Sequence, residues 1–178
     1  IAQCLVGSEM CIRDRYKRYR GKEDLFCAVV EQTVKDLYEV AHSRGDRDPA
    51  AMSDAELIKA WDMDGPDMMW WMRFLYDRHD DFVLLLSRSD GTRYANFPHD
   101  WVEVLTKATS AFLAEAQRRG ICRTDVGPEE LHILLSAFWT TIYEPFIHGF
   151  DWEQIEQHCR IVCKLFDWHK ALEFHVEK

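Results

Sequence analysis

The sequence predicts an all-α protein of about six helices, closing with a pair of long ones. Three observations carry the fold class. Apolar residues recur at three- and four-residue spacing along most of the chain, and no segment shows the two-residue alternation of a strand. Only 5 Pro and 8 Gly punctuate 178 residues, which leaves room for long helices. The Pro and Gly that do occur fall where helices should begin and end.

The first helix is expected from Lys22 to Ser43, with Leu25, Val29, Val30, Val34, Leu37 and Val40 at helical spacing. Glu23 and Asp24 suit its positive N-terminus, and Gly45 follows as a stop. Ser53 with Glu56 three residues on is a capping-box pattern, opening a second helix that ends near Met63, before Gly65-Pro66. A third helix runs from Pro66 to Ser87, with a break expected where the apolar pattern lapses at Arg78-His79-Asp80-Asp81. Ser89-Asp90-Gly91-Thr92 reads as a turn.

The fourth helix spans Asn96 to Arg119, with Phe97, Trp101, Val104, Leu105, Ala108 and Phe112 on its apolar face and Gly120 at its end. The fifth spans Pro128 to Ile147 and carries two apolar faces, one with Leu131, Leu135, Phe138 and Ile142, the other with Trp139, Tyr143 and Phe146. The sixth spans Trp152 to Phe174, also with two faces: Ile155, Cys159, Val162 and Phe166 on one, Ile161, Leu165, Trp168 and Leu172 on the other. A helix that is apolar nearly all round must be buried on more than one side. In a domain of this size, one of those sides is expected to meet a partner chain.

Composition bounds the function. Hydrophobic content of 47% with 30% charged residues is that of a globular protein, and no apolar run reaches the ~18 residues of a membrane span. A net charge of −9 argues against nucleic acid binding over the whole surface. The basic exception is local: Arg13, Arg15, Lys17, Arg18, Arg20 and Lys22 crowd one short segment. Cys4 and Cys11 lie near the N-terminus; Cys27, Cys122, Cys159 and Cys163 form no CxxC pair and read as reduced, mostly buried thiols of a cytoplasmic protein.

The most specific stretch is Tyr16-Lys17-Arg18-Tyr19-Arg20-Gly21-Lys22-Glu23-Asp24-Leu25-Phe26. It resembles the end of the DNA-reading domain in the tetracycline-repressor (TetR/AcrR) family of transcription regulators. There a tyrosine closes the recognition helix, and an aromatic-x-x-Lys-Glu-x-Leu-Phe step opens the helix leading to the effector domain. Leu84-Leu85-Leu86-Ser87-Arg88-Ser89-Asp90-Gly91-Thr92-Arg93-Tyr94 is similar to a segment in one branch of that family. Ala137-Phe138-Trp139-Thr140-Thr141-Ile142-Tyr143-Glu144-Pro145-Phe146 resembles its first dimerisation helix. The resemblance covers residues 16–174.

It implies three parts. Residues 1–15 are expected to be a non-native leader, since residues 4–15 resemble a peptide translated from sequencing-adapter DNA and fail as a signal peptide. Residues 16–21 are a remnant of a helix-turn-helix, and 22–178 form the ligand-binding and dimerisation domain. Tyr16 and Lys22 match positions that touch DNA phosphates, but operator DNA is expected as a partner only of the full-length protein. A repressor released from DNA by a small effector is the implied function.

The family pattern places the effector pocket among the first four helices. Met68, Trp71, Phe74, Phe82, Leu86, Tyr94, Phe97 and Trp101 are the candidate contacts, with Arg73, His79 and Tyr94 able to orient a polar group. Their composition points to a hydrophobic or aromatic effector; the same stripes also read as plain core. For a homodimer built as a four-helix bundle, the candidates are Trp139, Tyr143, Phe146, Ile155, Val162 and Phe166, which also read as completing one chain's own core.

A helical enzyme is the competing class. Glu129-Glu130-Leu131-His132 supplies one Glu-x-x-His where a di-iron bundle needs two. His79-Asp80, His99-Asp100 and the pair His148 and Asp151 are weak metal motifs, and no phosphate loop or nucleophile elbow is present. No catalytic residue, metal or cofactor is therefore expected. A helical interaction module without DNA binding is the other alternative.

Overall fold

A computed structural model describes residues 18–63 and 65–175; Tyr16 and the leader lie outside them. Among the described residues every regular element is helical: α1 (Lys22–Gly45), a 3-10 turn (Pro49–Ala51), α2 (Asp54–Lys59), α3 (Gly65–Tyr76), α4 (His79–Ser87), α5 (Phe97–Arg119), α6 (Pro128–Ile147), α7 (Trp152–Leu165) and α8 (Trp168–Ala171). The chain is thus all-α, as its periodicity predicts. No helix among the described residues is long and apolar enough to cross a membrane.

The expected boundaries hold where a cap enforces them. Asp24 accepts a hydrogen bond from the Arg20 N–H (2.9 Å) and secures the start of α1. The Ser53–Glu56 capping box forms at α2, with the Ser53 N–H donating to Glu56 Oε2 (2.8 Å). Gly120 ends α5 in the left-handed region, φ 71°, where a side chain is strained. A second capping box, Asp151 with Gln154, opens α7.

Two long predicted helices are each broken. The third divides between Tyr76 and His79, at the predicted lapse. Arg78 fixes this corner. It donates to Asp36 of α1 (2.8 Å) and to the Phe74 carbonyl (3.0 Å), and its guanidinium lies 4.0 Å from the centre of the Phe74 ring. The sixth helix stops at Leu165 and α8 begins at Trp168, because Asp167 caps the new start by accepting from the Lys170 N–H (3.1 Å). That turn separates two residue pairs the sequence placed on one face. Trp168 and Leu172 go into the core, while Ile161 and Leu165 stay 56% and 68% exposed.

The core is continuous from α1 to α8. α6 packs along α5 and against α4, α7 lies mainly on α3, and α1 contacts both α4 and α5. This arrangement corrects the expected dimer surface. Trp139, Phe146, Ile155 and Val162 are each at most 1% exposed within one chain, so their side chains have no surface left for a partner. Both faces of α6 are covered by its own chain. Half-buried Tyr143 and Phe166 also turn inward, Tyr143 to Trp139 and Phe166 to Phe138, with ring centroids 5.7 and 5.1 Å apart. Val29, expected on the inner face of α1, is 42% exposed.

Pro145 sits inside α6 and brings no N–H to the helix ladder, which leaves the Thr141 carbonyl four residues back without its usual donor. His158 of α7 supplies one, donating from Nε2 to that carbonyl at 2.8 Å. A sequence defect in one helix is thus the attachment point of the next. Arg119, at the end of α5, does the same for the 3-10 turn and α2. It pairs with Glu115 (2.7 Å) and Asp54 (2.8 Å) and donates to the carbonyls of Met52 (2.7 Å), Ala50 (3.2 Å) and Pro49 (3.3 Å).

His158→Leu should cost about 1–3 kcal/mol in urea unfolding, because it strands the Thr141 carbonyl. In a Pro145→Ala background, where the backbone N–H returns, the same substitution should cost at least about 1 kcal/mol less, a coupling that additive effects exclude. Hydrogen bonds from Arg118 and Arg119 lower the Glu115 pKa from 4.5 to about 2. A depressed carboxylate adds stability above its unfolded value, and this is lost as pH falls from 4.5 towards 2. Thermal melts across that window should show a shallower decline for Glu115→Gln than for the natural chain.

Candidate ligand-binding cavity

The packing leaves one large cavity of about 490 Å³, within the ~300–1,000 Å³ typical of small-molecule sites. α5 gives it Trp101, Leu105, Ala108, Thr109 and Phe112. α6 gives Leu135, Phe138 and Trp139. α1 contributes Val40 and Ala41, the end of α2 and its following turn Trp61 and Met63, α3 Trp71 and α8 Trp168. Charged side chains lie along its rim: Arg47, Glu56, Lys59, Asp62 and Asp67. The space exists because Ala108 and Thr109 are small where their neighbours on α5 and α6 are bulky.

The lining is aromatic and its rings are ordered against one another. Trp71 lies nearly parallel to Trp101, centroids 6.4 Å apart at 11°. Trp101 meets Trp139 at 5.7 Å, and Trp61 meets Trp168 at 5.9 Å. Such contacts hold the walls in fixed orientations and offer flat faces to a ring.

Of the eight residues expected to touch an effector, Trp71 and Trp101 line the cavity. Met68, Phe82 and Phe97 are buried in the core outside it, at most 1% exposed. Phe74 stacks on Trp71 (5.3 Å, 7°) and is not part of the lining. Leu86 and Tyr94 pack elsewhere against the core. The expected polar groups are also engaged elsewhere: Arg73 lies 3.7 Å over the Trp152 ring, His79 pairs with Asp80 (3.0 Å), and the Tyr94 hydroxyl accepts from Arg93 (2.8 Å). Helical periodicity identified the aromatic face and could not say which of its rings border empty space. Trp61, Phe138, Trp139 and Trp168 were missed because they come from the turn after α2 and from the C-terminal helices.

The enzyme motifs come together only in part. Asp151 caps α7, and His148 sits at the end of α6 beside Glu144 (3.4 Å). The structure does join His99 and Glu103 of α5 to His132 of α6, with potential ligand atoms within 4.8 Å of one another. The Thr106 hydroxyl gives its proton to the Val102 carbonyl (2.8 Å), so His132 Nδ1 at 3.2 Å is the donor to Thr106. The Nε2 of that ring keeps its lone pair. His99 and Glu103 are exposed and His132 is half-buried, with the Glu103 carboxylate 3.8 and 3.7 Å from the two imidazoles. Burial pushes the Cys159 thiol up to about 12 and keeps it protonated.

Lys22 is exposed at the first residue of α1, far in sequence from the lining. No protein-family model, curated protein or solved structure matches this chain, so the functional reading rests on the cavity's own geometry and on the sequence.

Proposed function

We propose that this chain is the effector-binding and dimerisation part of a TetR-type transcription regulator, and that its site is a receptor for a small hydrophobic or aromatic compound. The cavity of about 490 Å³ among α1, α3, α5, α6 and α8 is the observation that carries this reading. It supports binding over catalysis, because rings and aliphatic groups form most of its walls and the charged groups lie along its rim. Operator DNA is the partner that the family resemblance implies. Repression relieved by the effector follows from the family resemblance.

A second reading, an interaction module, is favoured by one feature. Ile161 and Leu165 of α7 are 56% and 68% exposed, and Ile133 and Ile147 of α6 are 60% and 40% exposed. These four replace the buried residues first assigned to dimerisation. Exposed apolar side chains of this kind are available to a second copy or to another protein.

Screening of aromatic compounds by thermal shift should find ligands that raise the melting temperature. Ala108→Phe, which fills the cavity, should abolish that rise while leaving the helical circular dichroism spectrum in place; an undiminished rise would place binding elsewhere. For the dimer, light scattering at micromolar concentration should give twice the chain mass. The double variant Ile161→Glu/Leu165→Glu should give the monomer mass, and a natural chain that is already monomeric would favour the interaction module.

A further inference from the structure

Folding assembles a ligand set that no single stretch of the sequence contains. His99 and Glu103 stand one turn apart on α5, and the packing of α6 on α5 brings His132 beside them. One potential ligand atom from each residue lies within 4.8 Å of the other two. The Glu103 carboxylate is 3.8 Å from His99 Nε2 and 3.7 Å from His132 Nδ1. Both separations are longer than a hydrogen bond, so neither ring holds the carboxylate.

His132 is oriented from its other side. Its Nδ1 donates to Thr106 Oγ1 (3.2 Å), and the Thr106 hydroxyl is itself tied to the Val102 carbonyl (2.8 Å). Nε2 is left with its lone pair. An imidazole with one N–H fixed by a neighbour and the other nitrogen open is arranged as metal-ligating histidines are. Around a tetrahedral ion with bonds of ~2.1 Å, ligand atoms stand about 3.4 Å apart. The His99–Glu103 separation of 3.8 Å is within a few tenths of an ångström of that, and both side chains are exposed enough to adjust. Two nitrogens and one carboxylate suit Zn2+ and disfavour Mg2+ and Ca2+, which take oxygen ligands. We propose that His99, Glu103 and His132 form a surface site for a zinc-type divalent metal, with water completing its coordination. The metal would clamp α5 to α6. None of its ligands lines the cavity, so the site stands apart from the effector reading.

Calorimetric titration of the intact chain with zinc sulfate should give one Zn2+ per chain at micromolar affinity, and magnesium sulfate no comparable heat. His99→Ala and Glu103→Gln should each abolish that binding, with the helical circular dichroism spectrum checking the fold. Thr106→Val, which removes the group that orients His132, should weaken it about tenfold. His148→Ala, at an equally exposed histidine paired with Glu144 within α6, should leave it in place. Footprinting of the natural chain with diethyl pyrocarbonate keeps the question open to test if a variant fails to fold. One equivalent of zinc should protect His99 and leave His148 reactive, although their side chains are 67% and 69% exposed. Absence of stoichiometric binding would overturn the proposal. Binding that survives both His99→Ala and Glu103→Gln, or zinc that leaves His99 as reactive as before, would mean adventitious surface binding and overturn it too.

Discussion

The contact between Trp101 and Trp139, where α5 meets α6 with ring centroids 5.7 Å apart, is the constraint on which the rest of the domain depends. Trp101 also touches Tyr38 of α1, Trp71 of α3 and Phe97 one turn away. One side chain therefore ties four helices together. Indoles are too wide to interdigitate as aliphatic side chains do, and interiors otherwise pack with few voids. With Ala108 and Thr109 beside them, the wide rings hold the helices apart and leave space between. Core and cavity are products of the same residues.

The walls stay in place through polar contacts at the ends of helices. Arg119 gathers the carbonyls of the 3-10 turn and the carboxylate of Asp54, and so sets where α2 and Trp61 can sit. His169 of α8 reaches back to the Ile58 carbonyl at 3.0 Å, which closes the chain's C-terminal part against that same segment. His158 answers the carbonyl that Pro145 leaves open. Each link joins residues far apart in sequence, and each satisfies backbone groups that burial would otherwise make costly.

The fold was legible because helix signals are local. Ser53, Gly120, Pro128 and Gly149 act within a few residues of where they stand, and the boundaries they predict hold. The lapse at 78–81 was visible for the same reason. The break at Phe166-Asp167 was not, since the apolar spacing continues across it and the Asp167 cap competes with that pattern. The burial partners were less legible still. Two apolar faces on α6 imply two neighbours, but spacing alone cannot say whether the second neighbour is another chain. Here it is the same chain: Phe82 of α4 meets Trp139 and Phe146, while Trp168 of α8 meets Phe138 on the other face. The cavity was half legible: Trp71 and Trp101 stood in a visible aromatic face, whereas Trp61 and Trp168 meet only after the chain has folded.

Five of the chain's 7 tryptophans line the cavity: Trp61, Trp71, Trp101, Trp139 and Trp168. The near-ultraviolet emission of this protein is consequently weighted toward one place. A compound seated there changes the polarity and contacts of most of the fluorophores at once, without any attached label. Excitation passed between neighbouring indoles extends that sensitivity to rings the compound does not touch. The architecture that shapes the cavity also makes its occupancy optically visible.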